Sequence, residues 1–253
     1  MNICINGIAG HMGREVRRLC EEGYRGAVAS VGIDPTDILC EGIPVYRLPS
    51  DIPRGIEIDC IVDFSHHTAT PALLSYAKEH GIPTVIATTG HTDEEIAAIH
   101  EAAKHIPVFY SANMSLGVAL LVELAKCAAA AMPDAQIEII EKHHNRKVDA
   151  PSGTALMLAQ ALTEVRPELH TNVGRNGYGK RDVNEIGIHA IRMGNIVGEH
   201  EVMLATSNQT ITLKHEAHSR ALFAEGALAA AAHIAKSPLG LYDMNSLVKG
   251  RRT

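Results

Sequence analysis

The chain has 253 residues, room for one large domain or two modest ones. Its formal net charge is −6 and it holds no long Lys/Arg block, which argues against nucleic acid as a partner, because binding a phosphate backbone needs a basic face. Hydrophobic residues make up 46% of it, enough for a core, but aromatics only 4% with no Trp, so that core must be aliphatic. The longest largely apolar stretch, VALLVELAKCAAAAM (118–132), is interrupted by Glu123 and Lys126 and is not read as a membrane span. No basic segment leads into a long apolar run at the start, so no signal peptide is expected. The five cysteines are odd in number and form no CxxC, which fits a reducing, cytoplasmic setting.

The first half alternates strand and helix. Asn2–Asn6 is predicted as a strand, followed by a glycine-rich turn and a helix on which Met12, Val16, Leu19 and Cys20 share a face; Gly23 ends it. Ala27–Ile33 is a second strand. The stretch 35–57 is rich in Pro and Gly and reads as loops with short ordered pieces. Cys60–Phe64 is a third strand. A helix begins near Pro71 and stops before Gly81, with Pro just inside its start and Gly just past its end. Pro83–Thr88 is a strand, Thr92-Asp93-Glu94-Glu95 a capping box opening another helix, and Val108–Tyr110 a further strand. Such alternation implies a parallel sheet covered on both faces.

After about Asn113 the grammar becomes α+β. A helix over Gly117–Met132 precedes a strand over Gln136–Glu141. A helix from Thr154 and three strand-like runs follow: Ile186–Met193, Ile196–Ala205 and Thr210–Lys214. Ile211 and Leu213 alternate with Thr210, Thr212 and Lys214, the pattern of a half-buried strand. A second domain is therefore expected here, with residues 1–114 and 220–253 forming a dinucleotide-binding domain and 115–219 a substrate-binding and oligomerisation domain.

Two segments carry chemistry. The first is GIAGHMG, Gly7-Ile8-Ala9-Gly10-His11-Met12-Gly13, directly after the first strand and opening the first helix. Glycines there allow a tight turn and close approach of backbone amides to a pyrophosphate, and the helix N-terminus adds partial positive charge. Asp34 ends the second strand about 20 residues later, where an acid that binds the ribose hydroxyls is expected. Its carboxylate repels a 2′-phosphate, and Pro35 and Thr36 bring no cation, so NADH is expected to be preferred over NADPH. The strand ends Ala87-Thr88-Thr89-Gly90 and Ser111-Ala112-Asn113-Met114 also point at the coenzyme, since ligands of such sheets lie at the carboxyl ends of strands.

The second segment is EKHHNRKVDAPSGTA, residues 141–155. His143, His144, Arg146 and Lys147 form a run of cations in an acidic chain. Ser152 is positioned to cap a helix whose first amides, on Gly153 and Thr154, suit a carboxylate. Cations on one side and helix amides on the other can clamp a dicarboxylate. A hydride delivered to a C=N or conjugated C=C bond leaves negative charge that a nearby acid must neutralise, and His suits that task at neutral pH. Adjacent His residues point to opposite sides of a strand, and no HExxH or Cys/His spacing is present, so no metal is expected.

The whole segment closely resembles the signature of the dihydrodipicolinate reductase family. The similarity continues in GIAGHMGREV, VDFS, ATTG, SANMSLGV, MGNIVGEHE and SRALFAEGAL and reaches LYDMNSLV, so it covers essentially the full chain. The resemblance implies a Rossmann-like α/β domain completed by the C-terminal helix, a substrate domain with a mixed sheet, and a homotetramer. It implies NAD(P)H-dependent reduction of the cyclic dicarboxylate 4-hydroxy-tetrahydrodipicolinate, with loss of its hydroxyl as water, on the diaminopimelate route to lysine. By resemblance His143 is the proton donor/acceptor and Lys147 a proton donor, while His144, Gly153 and Thr154 bind substrate. The turn from Gly7 through Met12, Asp34, Ala87–Thr89 and Ser111–Met114 hold the coenzyme. Three positions depart from the family pattern: His11 stands where Arg is common, Met114 where Phe is common, and the strand end Asp63–His67 lacks a Pro.

Two other readings fit the residues less fully. Another two-domain NAD-dependent dehydrogenase is one, but an acylating semialdehyde enzyme needs a nucleophilic Cys, and Cys4, Cys60 and Cys127 read as strand or helix interior. A non-catalytic NAD-sensing regulator is the other, and it leaves the His-His…Lys run without a task.

Overall fold

The chain opens on β1 (Asn2–Asn6), where Ile3, Cys4 and Ile5 are fully buried, as a strand covered on both faces requires. The structure is a computed structural model that describes residues 1–36 and 38–250. Asp37, inside the stretch expected to be loop, and residues 251–253 of the returning segment lie outside the described residues. β1 pairs in parallel with β2 (Val28–Ile33) and with β4 (Cys60–Asp63). β3 (Val45–Tyr46), β5 (Thr84–Ile86), β6 (Pro107–Tyr110) and β12 (Gly240–Tyr242) complete one sheet of order β12-β6-β5-β4-β1-β2-β3, parallel throughout. The strand order reverses between β1 and β4, which opens a crevice at their carboxyl ends.

The helices of this sheet follow from local signals. α1 (His11–Glu21) buries Val16, Leu19 and Cys20 on one face. α2 (Thr70–His80) has Pro in its first turn and ends on Gly81 in the left-handed conformation. α3 (Asp93–Ala102) starts with both arms of its capping box made: Thr92 Oγ1 accepts from the Glu95 amide and Glu95 accepts from the Thr92 amide. α2 and α3 supply Leu73, Leu74 and Ile99 to a core cluster with Cys4, Ile61 and Val108. The last long helix, α6 (Ala221–Ile234), packs against α1 and β4–β6, so the chain does return to its first sheet. α7 (Met244–Lys249) follows β12.

The residues divide into two compact units, Met1–Leu116 with the chain from Arg220 onward, and Gly117–Ser219. The second unit is built on β7 (Gln136–His143), β8 (His170–Val173), β9 (Glu185–Arg192), β10 (Gly198–Ala205) and β11 (Thr210–Ala217), in the order β11-β10-β7-β9-β8. β7 runs parallel to β9 and antiparallel to β10, so the sheet is mixed. One face packs on α4 (Leu116–Ala131) and α5 (Gly153–Val165) through Leu121, Ile137, Ile139, Leu158, Leu162, Ile188 and Val202. Each such side chain contributes about 1.5–3 kcal/mol relative to an exposed one. The expected fold class, a parallel α/β sheet plus an α+β unit with a mixed sheet, is the one observed.

Several boundaries differ. β7 runs two residues past Glu141 and so carries His143 at its end. β10 starts at Gly198 because Ile196 instead accepts the His144 amide in a turn. The expected strand over Pro83–Thr88 is ordered as β5 only over Thr84–Ile86, although the Ala87 amide still donates to the Asp63 carbonyl of β4. β8, β12 and α7 had no periodic signal long enough to predict. Ile211 is 39% exposed, because β11 is the sheet's edge and only Leu213 of the pair packs on the core. Cys127, read as interior, is exposed on α4. Among the described residues no helix is long and apolar enough to cross a membrane.

Candidate active site

In the first unit the glycine turn is fixed by the backbone around it. Gly7 has φ 80, and a Cβ on it would lie 2.8 Å from the Phe64 carbonyl oxygen at the end of β4. A Cβ on Gly13 would lie 2.1 Å from the Gly7 carbonyl oxygen, so neither position admits a side chain. Gly10 is the N-cap of α1 and brings no side-chain acceptor, which leaves the helix start open to an anion. Ile8 is fully buried and contributes only backbone; the His11 side chain is exposed. Asp34 is nearly buried and its Oδ2 accepts from the Ala9 amide at 2.9 Å, tying the end of β2 to the turn. Its Oδ1 accepts from the Thr36 amide and hydroxyl, at 3.1 and 2.6 Å.

Beside the turn lies a recess of about 280 Å³ lined by Met12, Phe64, Ser65, Ala87, Thr88, Thr89, Ala112, Met114 and Phe223. It joins the turn to both strand ends singled out in the sequence. Ser111 and Asn113 do not line it; the Ser111 hydroxyl donates to the Asn113 carbonyl and the Asn113 side chain accepts from the Ser115 amide. Under the recess sits Asp63, fully buried, which no sequence argument had singled out. Its carboxylate accepts from Asn6 Nδ2, the Ser65 amide and hydroxyl, and the Thr88 hydroxyl. Burial pushes this carboxyl above its ordinary value, and those four donors only partly oppose it. A glycine turn that no side chain fits, an open helix start and a lined recess at the switch point are what a dinucleotide needs.

In the second unit the segment 141–155 is drawn together by a carboxylate. Glu141 and His143 are two apart on β7 and share a face with Ile137 and Ile139. Glu141 is fully buried. Its Oε2 accepts from His143 Nδ1 at 2.6 Å and from Arg192 Nη1 at 2.8 Å; its Oε1 accepts from Arg192 Nη2 at 2.6 Å and from the Ser152 amide at 3.0 Å. Arg192 Nη2 also donates to the Asp149 carbonyl, so one fork staples the 149–152 turn to the strand end. Register explains the meeting: His143 lies opposite Arg192 across β7–β9, and Glu141 lies opposite His200 across β7–β10. Burial alone raises the Glu141 carboxyl, but the bonds from Arg192, His143 and the Ser152 amide bring it below its ordinary value. For His143 burial lowers the pKa and the Glu141 carboxylate works against it.

Ser152 caps α5 by accepting from the Ala155 amide, and its hydroxyl lies 3.0 Å from His200 Nε2. His200 is pulled down to about 4, first by burial and then by His143, so it stays neutral. Gly153 and Thr154 are the first two residues of α5. Lys147 is folded back by the bond from its own amide to the His144 carbonyl, and its Nζ donates to Asp149 at 2.7 Å. His144 Nδ1 is buried with no partner among the described residues. The run of cations is less compact than expected: Arg146 is exposed and donates to Asn195, because the turn at 145–147 pairs with the turn at 193–196. The cation that does enter the cluster is Arg192, from another strand. Glu141, Arg192 and His200 were all missed. Glu141 and His200 had a signal, a polar residue in the buried phase of a strand; Arg192 had none.

A parallel sheet with a glycine turn at its switch point, in one chain with a separate mixed sheet, defines the two-unit nicotinamide-dependent oxidoreductases. The family models for the N-terminus and C-terminus of dihydrodipicolinate reductase match residues 1–114 and 117–248. The chain is 45% identical over 98% of its length to the 4-hydroxy-tetrahydrodipicolinate reductase of Caldanaerobacter subterraneus subsp. tengcongensis, and 41% over 98% to that of Clostridium novyi; it covers 98% of each. Among solved structures, the dipicolinate-bound dihydrodipicolinate reductase of Paenisporosarcina sp. TG-14 superposes with TM-score 0.82 at 25% identity, over 96% of this chain and 97% of that one. The chain belongs to the dihydrodipicolinate reductase family, and is thus an NAD(P)H-dependent oxidoreductase of the diaminopimelate route to lysine.

Proposed function

We propose that the unit built on the parallel sheet holds the coenzyme through Gly7–Met12, Asp34, Ala87–Thr89 and Ser111–Met114, and that the mixed-sheet unit holds the substrate and mediates a homotetramer in the cytoplasm. The substrate is 4-hydroxy-tetrahydrodipicolinate, a cyclic dicarboxylate of the same class as the dipicolinate bound by the Paenisporosarcina relative. The observation that carries this reading is the Glu141–His143 pair beside a helix start capped by Ser152, within a chain whose two halves both match the family. Lys147, His144 and the first turn of α5 at Gly153 and Thr154 bind the carboxylates. Substrate takes Asp149's place on Lys147 Nζ.

When bound, reduced nicotinamide supplies a hydride to the conjugated ring. The displaced electron pair must then be neutralised by one proton; His143 delivers it from Nε2, since Nδ1 is committed to Glu141. Lys147 polarises the ring's substituents and serves as a second donor. Overall one hydride and one proton are added and one water leaves.

NADH is the preferred coenzyme: the Asp34 carboxylate is fixed at the end of β2 by Ala9 and Thr36 and opposes a 2′-phosphate. A coupled assay with substrate generated by the preceding synthase, run with NADH and with NADPH, tests this. Turnover faster with NADH is expected; no turnover by a folded, NADH-binding chain would favour a sensor instead. In the same assay His143→Gln should lower kcat by about 10²–10⁴-fold with little change in KM. An unchanged kcat removes the acid role.

A further inference from the structure

The arrangement around His143 goes further than a single acid. Glu141 accepts four hydrogen bonds, two of them from the Arg192 fork, so every lone-pair direction of its carboxylate is used. A carboxylate filled by donors in this way is ionised and can only accept. The proton in the 2.6 Å contact therefore belongs to His143 Nδ1, and Nε2 is the nitrogen that gains and loses a proton. Room for that exchange is provided by Gly198, where a Cβ would lie 3.1 Å from His143 Nε2. The other histidine in contact, His200, sits edge-on with ring centroids 5.2 Å apart. Its ring is held on the other side by the Ser152 hydroxyl, 3.0 Å from Nε2. Burial pulls His200 down to about 4, so it is a neutral ring that does not compete for the proton.

We infer that Glu141 is a positioning residue of the reaction, which, with Arg192 keeping it ionised, fixes His143 in the Nδ1–H tautomer and stabilises its imidazolium. The groups that face His143 are Glu141 on its own strand, Arg192 on β9, His200 on β10 and Lys147 in the following turn. Only Glu141 favours the charged ring; burial, Lys147 and Arg192 all disfavour it. The sign follows. An acid must be protonated to act, so kcat falls as pH rises through the pKa of His143, and removing the Glu141 charge moves that fall to lower pH.

This inference rests on His143 being the proton donor, and the experiment separates the two. The pH dependence of kcat is compared in the native chain, Glu141→Gln and His143→Gln. Expected is a falling limb that moves down by about one pH unit in Glu141→Gln, with KM within about twofold, and that disappears in His143→Gln. A limb that survives unmoved in His143→Gln removes the acid reading itself. A limb that disappears there but stays in place in Glu141→Gln overturns only the role of Glu141, even if kcat is lower. Should Glu141→Gln fail to fold, nitrogen-15 NMR of the native chain with labelled histidine still decides. The neutral His143 ring is expected with its proton on Nδ1, and a ring protonated on Nε2 overturns the inference.

Discussion

Asp63 and Glu141 are both fully buried carboxylates on strands, one in each unit, and they are satisfied by opposite means. Asp63 has only neutral donors: an amide side chain, a backbone amide and two hydroxyls. Glu141 has a guanidinium fork and an imidazole. Burial dominates at Asp63 and raises its carboxyl; at Glu141 the Arg192 guanidinium, with the His143 ring and the Ser152 amide, overcomes burial and lowers it. The difference follows the chemistry of each unit. The proposed coenzyme site is built around a backbone turn, so its supporting carboxylate needs only to hold loops in place. The proposed proton-handling site is made of side chains, and in that role its carboxylate must keep a charge.

The sharpest way to break this comparison is to remove the cation. Arg192→Met leaves the Glu141 carboxylate buried with only the neutral His143 ring and the Ser152 amide donating to it among the described residues, and should cost about 3–5 kcal/mol of stability, read from the urea midpoint at unchanged slope. The double variant Glu141→Gln with Arg192→Met removes charge and counter-charge together and should lose far less. Equal losses in the two would mean that Arg192 acts through packing and not through the Glu141 charge.

The corresponding test of the backbone-built site is steric. Gly13→Ala places a methyl 2.1 Å from the Gly7 carbonyl oxygen, so the turn must open. The expected cost is about 2 kcal/mol of stability. Coenzyme affinity should also weaken about tenfold, the equivalent of about 1.4 kcal/mol, measured by calorimetric titration. Coenzyme affinity that does not change would show that the turn holds no phosphate.

These two sites were not equally legible in the sequence. The architecture of the proposed coenzyme side was readable because its information is local: a strand, a glycine turn and a helix within the first 21 residues, and strand ends that the parallel order brings to one crevice. The run 141–155 was readable as a site, yet its wiring was not. Arg192 reaches Glu141 from 51 residues away, through a β7–β9 register that no local pattern encodes. Lys147 and Arg146 look alike in sequence, but the 145–147 turn sends one to Asp149 and the other to Asn195. Glu141 itself was visible, as an acid continuing the buried phase of Ile137 and Ile139. Asp63 was hidden, because β4 is buried on both faces and shows no alternation against which an acid stands out.

The smallest expected effect is also the most discriminating. Asp63→Asn keeps one side-chain oxygen for Asn6 and Ser65, and the Thr88 hydroxyl can turn to accept from the new amide, so the network survives and stability changes by no more than about 1 kcal/mol. Its pH dependence carries the information. A carboxyl raised on folding binds its proton more tightly in the native state, so its contribution is fully present at pH values below its unfolded pKa. That contribution is lost as pH rises through the folded value. Thermal unfolding followed from pH 4 to pH 8 should therefore show Asp63→Asn gaining on the native chain as pH rises. Glu141 has the opposite sign: its carboxyl is lowered, so its contribution is present at neutral pH and is lost as pH falls through the folded value. A native chain that instead gained on Asp63→Asn with rising pH would place Asp63 in the same class as Glu141, and the contrast between the two units would then have to be sought in their ligands and not in their buried charges.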